Sequence, residues 1–253
     1  MISLPASRFY KDAVALSAFL LFLVTNIENL DKIATVIVGL LAKVPEDQRV
    51  QAGMPTDVSQ AVNDFAEGKA SGPLENLSTH LPLLAELIFC RMVDNFLNYV
   101  SELMALIFET KPEMLKSDEK ISIEEILEYP TREALLNALI ERKVLALSFK
   151  GMIELNSDLA RKIGFALFDD AADLKHAAIL VEQRNLVTHN RGCVNRRYLE
   201  RVSPTQLKLG DRLTFSIGPV KDDLAFLKRC LVHVDQRAQQ KFCIPRNEPD
   251  PTV

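Results

Sequence analysis

The chain is poor in the residues that make turns and cross-links: its 253 residues include 9 glycines, 12 prolines, 4 cysteines and no tryptophan. A sandwich, a barrel or a doubly wound sheet needs a turn between most of its strands, and the chain has too few glycine and proline residues for so many turns. Apolar residues make up 48% of the chain and charged residues 25%, which excludes a mainly disordered protein. The composition predicts an all-α fold.

An excess of positive charge is also missing, since 34 acidic residues outnumber 30 basic ones and give a net charge of −4. Any site for a polyanion must therefore be a local patch. The apolar runs 13–24 and 34–41 are shorter than the roughly 18 residues of a membrane-spanning helix, and polar residues separate them. Because no basic leader with a cleavage pattern for secretion is present, we expect a cytoplasmic protein without membrane contact.

The cysteines lie far apart, at Cys90, Cys193, Cys230 and Cys243, and form neither a CxxC pair nor a dense disulfide framework. This scatter favours a reducing compartment. Cys230 and His233 supply only half of a zinc site, and a helical cysteine and histidine beside apolar neighbours usually serve packing. We therefore expect no metal site and no cofactor.

The spacing of apolar residues predicts a succession of helices. They are expected over 7–43, as one long helix or two successive ones, and over 56–65, 81–110, 132–153, 171–190 and 220–240, with a further short helix beginning after Asn156 and Ser157. The strongest repeat, over 81–110, predicts the central helix of a bundle. Residues 206–217 alternate around Gly210 and Asp211, which predicts a small β-hairpin before the last helix.

Most familiar enzyme signatures are absent, including GxxxxGK, GxGxxG, GxSxG and HExxH. Polar residues instead crowd the end of the predicted 171–190 helix, where Asn185 and His189 are four residues apart and share one face. Arg184 lies on the adjoining stripe, so a guanidinium and an imidazole can converge on one ligand. A guanidinium offers two parallel donors to phosphate, and an imidazole exchanges protons with hydroxyl groups near neutral pH without a metal.

A local excess of arginine surrounds this pair. Between residues 182 and 201 the arginines are Arg184, Arg191, Arg196, Arg197 and Arg201, against two glutamates. This cluster is the basic patch that the overall charge does not provide, and guanidinium groups favour binding to phosphate. A solvated helix face is the structural alternative for the same residues.

Residues 184–189, RNLVTH, followed by NRG at 190–192, resemble the motif of the HEPN superfamily, the higher eukaryotes and prokaryotes nucleotide-binding domains. That motif is an arginine, a polar residue, three variable residues and a histidine near a helix end. The resemblance extends more weakly from about Leu81 through the last helix, about two-thirds of the chain. It leaves the first seventy-odd residues unexplained.

The resemblance implies an all-helical bundle that pairs as a homodimer and brings two Arg/His motifs into one cleft. We expect a single domain over 1–243, with an N-terminal helical extension over 1–75 and a HEPN-like core over 78–243, followed by a flexible tail over 244–253. Many active members are metal-independent ribonucleases of toxin–antitoxin, abortive-infection and antiviral systems. RNA is therefore the expected substrate, and an antitoxin or regulatory protein is an expected partner.

Carried over to the matching positions, Arg184 and His189 become the catalytic pair and Asn185 their supporting polar residue. The expected RNA-binding residues are Asn190, Arg191, Arg196, Arg197 and Arg201. In the expected reaction the ribose 2′-hydroxyl attacks the adjacent phosphodiester, while His189 moves protons and Arg184 stabilises charge on the phosphoryl oxygens. The products end in a cyclic phosphate and a 5′-hydroxyl, and DNA is spared.

Two points stay open within this hypothesis. The superfamily includes non-catalytic forms, so a module that binds RNA, a nucleotide or a protein is the alternative function. Some relatives also place an acidic residue on a neighbouring helix, and Asp94, Glu102 and Glu182 are all candidates for this residue, which would support and polarise His189.

The histidines also have structural interpretations. His189 and Asn190 could satisfy carbonyl groups at the helix end without any role in chemistry. We expect His80 and His176 at the surface or at a helix boundary, and His233 in a structural role.

Overall fold

The computed structural model of the protein describes residues 2–68, 75–115, 121–203 and 205–245. Most of this part of the chain is helical and none of it forms a strand, which confirms the all-α prediction. The helices are α1 (Leu4–Leu41), α2 (Glu46–Gln51), α3 (Thr56–Ala66), α4 (Glu75–Thr110), α5 (Ile123–Leu127), α6 (Arg132–Ser148), α7 (Met152–Ile163), α8 (Ala171–Asn190), α9 (Arg196–Val202) and α10 (Ile217–Phe242). A 3₁₀ turn, Pro112–Leu115, follows α4.

Helix α4 is the centre of the bundle, because it packs against α1, α6, α8 and α10. It begins earlier than predicted and continues through Pro82. Its apolar repeat is buried as predicted, with the following side chains each at most 5% exposed: Ile88, Met92, Phe96, Val100, Leu103 and Ile107. Burying one such side chain contributes about 1.5–3 kcal/mol, so this stripe organises the core.

Helix α1 attaches the N-terminal part of the chain to the same core. Phe9, Ala13 and Leu20 are buried in it, and α1 packs on both α4 and α10. At the start of the helix, the backbone nitrogen of Ser3 donates to Oδ2 of Asp235 on α10 at 3.0 Å, and the Ser3 hydroxyl donates to the same carboxylate. No helix among the described residues is both long enough and apolar enough to cross a membrane.

The single helix predicted over 132–153 is in fact two helices. Helix α6 ends at Ser148, Phe149 is its C-terminal cap, and α7 begins after Gly151. Between them Lys150 turns towards α7, where its Nζ lies 2.6 Å from Glu154 Oε1 and 2.7 Å from Asp158 Oδ2. These two ion pairs stabilise the break, which apolar spacing alone does not reveal.

The helix predicted to begin after Asn156 and Ser157 is α7, which contains both residues. Asn156 does not cap it. Its side chain instead donates to the carbonyl oxygen of Phe168 at 3.2 Å and accepts from the Phe168 nitrogen at 2.9 Å. A buried amide therefore fixes the connection that leads into α8.

The β-hairpin predicted over 206–217 does not form in the described residues. Within itself this segment forms only a turn, in which Asp211 N donates to Lys208 O at 3.1 Å. It pairs instead with the stretch after α8: Val194 N donates to Asp211 O at 2.8 Å, and Gly210 N donates to Val194 O at 2.9 Å. Gly210 has a φ of 88°, which glycine adopts without strain. A single antiparallel bridge results, between Cys193 and Arg212.

Three of the alternating apolar residues of 206–217 pack on a second, smaller core: Leu213 is buried in it, and Leu207 and Phe215 are partly buried against it, whereas Leu209 is exposed. This core contains Leu186, Val194, Tyr198, Val202 and Leu213. It lies beneath the end of α8 and the whole of α9, so it fixes the position of both helices relative to each other. At the end of the chain, Ile244 is 4% exposed, and the predicted tail from 246 onward lies outside the described residues.

Candidate functional site

The motif residues occupy the last turns of α8, whose ends match the predicted 171–190. Asp170 caps its start, and its Oδ1 accepts hydrogen bonds from the Ala172 and Asp173 nitrogens at 2.9 and 2.8 Å. At the other end Arg191 and Gly192 both have positive φ, 54° and 73°. The prediction placed the left-handed terminator at Gly192, whereas the reversal already starts at Arg191. The helix therefore ends one residue after His189.

A cleft of about 450 Å³ lies beside this helix end. Four elements line it: the end of α8, the connection between α6 and α7, helix α9 with its cap, and helix α4 through Leu97. The residues that line it and bear on its chemistry are Phe149, Lys150, Glu182, Arg184, Asn185, His189, Asn190, Arg197, Tyr198 and Arg201. The structure thus brings the predicted catalytic set together with three of the five predicted RNA-binding residues. Arg191 and Arg196 are exposed and do not line the cleft.

Arg184 is oriented by two neighbours. Its Nη2 lies 2.6 Å from Oδ1 of Asp94 on α4, and its Nη1 donates to Oδ1 of Asn185 at 3.1 Å. The Arg184 side chain as a whole is about a quarter exposed, so it is held by Asp94 and still reaches the cleft. Its Nε has no hydrogen-bond partner among the described residues.

The carboxylate beside Arg184 is therefore Asp94. The other two acidic candidates are engaged elsewhere, because Glu102 pairs with Arg8 at 3.1 Å and Glu182 pairs with Arg201 at 2.5 Å. None of the three candidates bonds His189 in the described part of the chain, because Asp94, Glu102 and Glu182 each pair with an arginine instead.

His189 and Asn190 differ in their surroundings although they are adjacent. The Asn190 side chain donates to the carbonyl oxygen of Cys193, so it does stabilise the helix end, as the structural interpretation expected. His189 is exposed and makes no hydrogen bond or ion pair within the described part of the chain. Its imidazole is therefore free to exchange protons with a ligand in the cleft.

The arginines contribute unequally to the charge of the cleft. Arg184 is compensated by Asp94, and Arg201 is compensated by Glu182. Lys150 is held by Glu154 and Asp158. Among the described residues that line the cleft, only Arg197 is a cation without an acidic partner, so it is the group best placed to attract a phosphate.

Helix α9 was not predicted, although its signal is present in the sequence. Asn195 caps it and accepts a hydrogen bond from the Tyr198 nitrogen at 2.9 Å. Burial raises the pKa of the Tyr198 hydroxyl, so this group remains protonated at neutral pH and is no base. An asparagine cap followed by two arginines and an apolar pair could have revealed this element.

The remaining histidines lie away from the cleft. His176, expected at the surface, is half-buried: its Nε2 is 2.9 Å from Oδ1 of Asp223, and its ring stacks on Phe226 with centroids 4.2 Å apart. His80 and His233 are exposed. All four cysteines are free thiols, and burial raises the pKa of Cys230 to about 11. The described residues contain no group of three or more side chains arranged to hold a metal ion.

No family model, curated protein or solved structure matches this chain. The chemistry of the cleft must therefore carry the functional conclusion. A free imidazole, an oriented guanidinium and an unpaired arginine, all within one concave site, form a set suited to binding a phosphodiester and moving protons beside it.

Proposed function

We propose that the protein is a metal-independent endoribonuclease of the HEPN type. The observation that carries the proposal is that His189, which has no bonded partner among the described residues, lines the same cleft as Arg184 and Arg197. This arrangement provides a proton-transfer group and two phosphate-binding groups without a metal.

In the proposed reaction the ribose 2′ oxygen attacks the adjacent phosphorus, and the bond from phosphorus to the 5′ oxygen breaks. His189 accepts the proton of the 2′-hydroxyl and, once protonated, donates a proton to the departing 5′ oxygen. Arg184 and Arg197 stabilise the negative charge that gathers on the phosphoryl oxygens. The products are a 2′,3′-cyclic phosphate and a 5′-hydroxyl. DNA lacks the attacking hydroxyl and is not cut.

The proposal includes a homodimer. Pairing of two copies would bring two sets of Arg184 and His189 into one cleft, as the resemblance to the HEPN superfamily implies. A volume of about 450 Å³ is also that of a small-molecule site rather than of a nucleic-acid groove. A longer RNA would extend beyond it, across a second protomer. A role in a toxin–antitoxin or phage-defence system, in the cytoplasm and under control of a protein partner, completes the proposal.

The test is cleavage of a labelled single-stranded RNA by the purified chain in the presence of a chelator. We expect products with cyclic phosphate and 5′-hydroxyl ends, and loss of cleavage in His189→Ala and Arg184→Ala. His176→Ala is the matched control, because it removes a histidine from the same helix but outside the cleft. Cleavage unaffected by the first two substitutions would reject these roles, and cleavage that requires a divalent ion would reject the mechanism.

One observation favours a second candidate, a module that binds RNA without cutting it. Arg184 and Arg201 are already neutralised by Asp94 and Glu182, which leaves Arg197 as the principal phosphate contact. Such a module would release intact RNA as the salt concentration rises. Recovery of uncut RNA after hours of incubation, with affinity lowered by Arg197→Gln, would favour this candidate over the nuclease.

A further inference from the structure

Phe149 is exposed to an unusual degree for an aromatic residue in a fixed position. Its exposure is 80%, the highest value among the large apolar side chains described. It caps the C-terminal end of α6 and lines the cleft that holds Arg184 and His189. The other apolar residues of that lining, Leu97, Val181, Leu186 and Tyr198, are buried or half-buried. Phe149 therefore offers the cleft its one open aromatic face within the described residues.

The loop that carries Phe149 is held from both sides. On one side Lys150 Nζ is bound by Glu154 and Asp158 on α7. The hydrogen bond from Lys150 lowers the pKa of Asp158 to about 2, so the carboxylate is charged at neutral pH. On the other side, a Cβ built on Gly151 would lie 3.5 Å from Nη1 of Arg201, which places the Arg201–Glu182 pair directly against the loop. The backbone that carries Phe149 is therefore already ordered, so binding a ligand restricts the side chain alone and orders no loop.

We propose that Phe149 is a stacking platform for one nucleobase of the bound RNA, and that the cleft takes single-stranded RNA. This inference rests on the proposed function in one respect, since it assumes that a nucleic acid occupies the cleft. An aromatic ring stacks on any base, because every base has a π-face. A base inside a duplex is covered on both faces by its neighbours, so only an unpaired base can reach the ring.

A protein partner is the competing occupant, because Leu145 and Ile153 are also exposed, at 58% and 51%. Leu145 lies one turn before Phe149 on α6, and Ile153 lies in the first turn of α7. Neither Leu145 nor Ile153 lines the cleft, whereas Phe149 shares it with His189 and Arg197. An aromatic ring next to phosphate-binding groups is typical of nucleic-acid recognition.

The test uses the absence of tryptophan from the chain. In a Phe149→Trp variant of the full chain, the new indole is the only one, and its fluorescence reports stacking directly. The probe is a short single-stranded RNA with 2′-O-methyl riboses, which cannot be cut. We expect quenching on binding, and no quenching when the base next to the central phosphate is replaced by an abasic site. Leu145→Trp is the matched control and should not respond, because it places the indole outside the cleft.

Affinity for the same probe provides a second measurement. Phe149→Ala should weaken binding about 5- to 150-fold, the range expected for loss of one base-aromatic stack. Phe149→Leu should be nearly as weak, since it keeps apolar surface but has no ring, whereas Phe149→Tyr should bind like the unaltered chain. The side chain is exposed, so circular dichroism should show the fold of each variant unchanged.

Several outcomes would overturn the inference. The first is an affinity for the RNA probe that is unchanged in Phe149→Ala, and the second is equal quenching by the intact and the abasic probes in Phe149→Trp. The third is a change in self-association of Phe149→Ala with no change in its RNA binding, which would assign Phe149 to a protein contact. Stacking without any cleavage of ordinary RNA would refute the nuclease and keep the inference. Cleavage that proceeds equally well without Phe149 would refute the stacking inference and keep the nuclease. Failure of the unaltered chain to bind the probe would refute the nuclease and the stacking inference together.

Discussion

Helix α8 carries two histidines, one towards each end, whose surroundings are opposite. His176 is half-buried, bonded to the carboxylate of Asp223 and stacked on Phe226. His189 is exposed, without a partner among the described residues, and lies in a cleft with Arg184. The ring nitrogen of His176 that faces Asp223 is committed to the fold, whereas both nitrogens of His189 remain available. Both residues are histidines on the same helix, so neither the residue type nor the helix distinguishes them. The contacts that each side chain makes with its neighbours separate a structural imidazole from one that is available for chemistry.

The largest effect should follow from removing the reactive imidazole. His189→Ala should slow RNA cleavage about 10²- to 10⁴-fold, the usual contribution of a proton-transfer group. Because the side chain is exposed and unbonded, the free energy of unfolding should change by less than about 0.5 kcal/mol. The measurement pairs single-turnover cleavage rates with urea unfolding of the same preparation.

A double variant extends this prediction. If His189 and Arg184 act in one step, cleavage by the variant that carries both His189→Ala and Arg184→Ala should be hardly slower than by His189→Ala alone. Fully multiplicative losses would mean that the two groups act independently. A loss of stability in His189→Ala as large as the loss of activity would show that His189 resembles His176 after all.

The next effect concerns the carboxylate that orients the arginine. Asp94→Asn keeps the shape of the side chain but removes the charge that lies 2.6 Å from Arg184 Nη2. The guanidinium then loses its fixed position, and cleavage should fall about 10- to 100-fold. Glu102→Gln is the matched control, since it breaks an ion pair of the same helix at Arg8 and should leave cleavage unchanged.

An Arg184→Ala background shows whether Asp94 acts through the arginine. In that background Asp94→Asn should cause no further loss of cleavage. A further large loss would give Asp94 a role of its own, and an unchanged rate in the single variant would mean that the ion pair does not position Arg184.

Much of the fold could be predicted because local signals and tertiary packing agree. The bounds of α8 follow from the cap at Asp170 and the reversal after Asn190, and the α4 stripe follows from its apolar spacing. The break between α6 and α7 could not be predicted, because Gly151 is the only residue there that marks a turn in the sequence. The ion pairs of Lys150 with Glu154 and Asp158 stabilise the break, but they form only once the chain has turned.

The residues of the candidate site could be predicted from the sequence motif, but their contacts with other helices could not. Helix spacing alone brings Arg184, Asn185 and His189 together. The choice of Asp94 over Glu102 and Glu182 depends on how α4 packs on α8, which no local pattern records. The hairpin prediction over 206–217 was wrong for a related reason, since alternating apolar residues also suit an extended segment that covers a small core.

A smaller effect should separate the structural histidine from the reactive one. His176→Ala removes a hydrogen bond to Asp223 and a stacked ring, and should lower the free energy of unfolding by about 1 kcal/mol. Cleavage measured well below the unfolding temperature should not change. His233→Ala, at an exposed histidine on α10, is the control and should unfold like the unaltered chain. A loss of cleavage in His176→Ala without loss of stability would contradict the division of roles.

The smallest effect lies in the pH dependence of stability near His176. Burial raises the pKa of Asp223 above its ordinary value of 3.8, while the bond from His176 acts in the opposite direction. The folded state therefore holds the Asp223 proton more tightly than the unfolded state does. The stability from this group is complete below pH 3.8 and falls as the pH rises through the raised folded value.

Urea unfolding at a series of pH values, compared with Asp223→Asn, should show this decline in the difference between the two proteins. His176→Ala removes the neighbour that lowers the pKa of Asp223, so in that variant the decline should extend to higher pH. His189→Ala should leave the profile unchanged, because no carboxylate of the described residues is bonded to that ring. If His176→Ala and His189→Ala gave the same dependence of stability on pH, His176 would not be bonded to Asp223 in solution. The two histidines of α8 would then differ only in the exposure of their side chains.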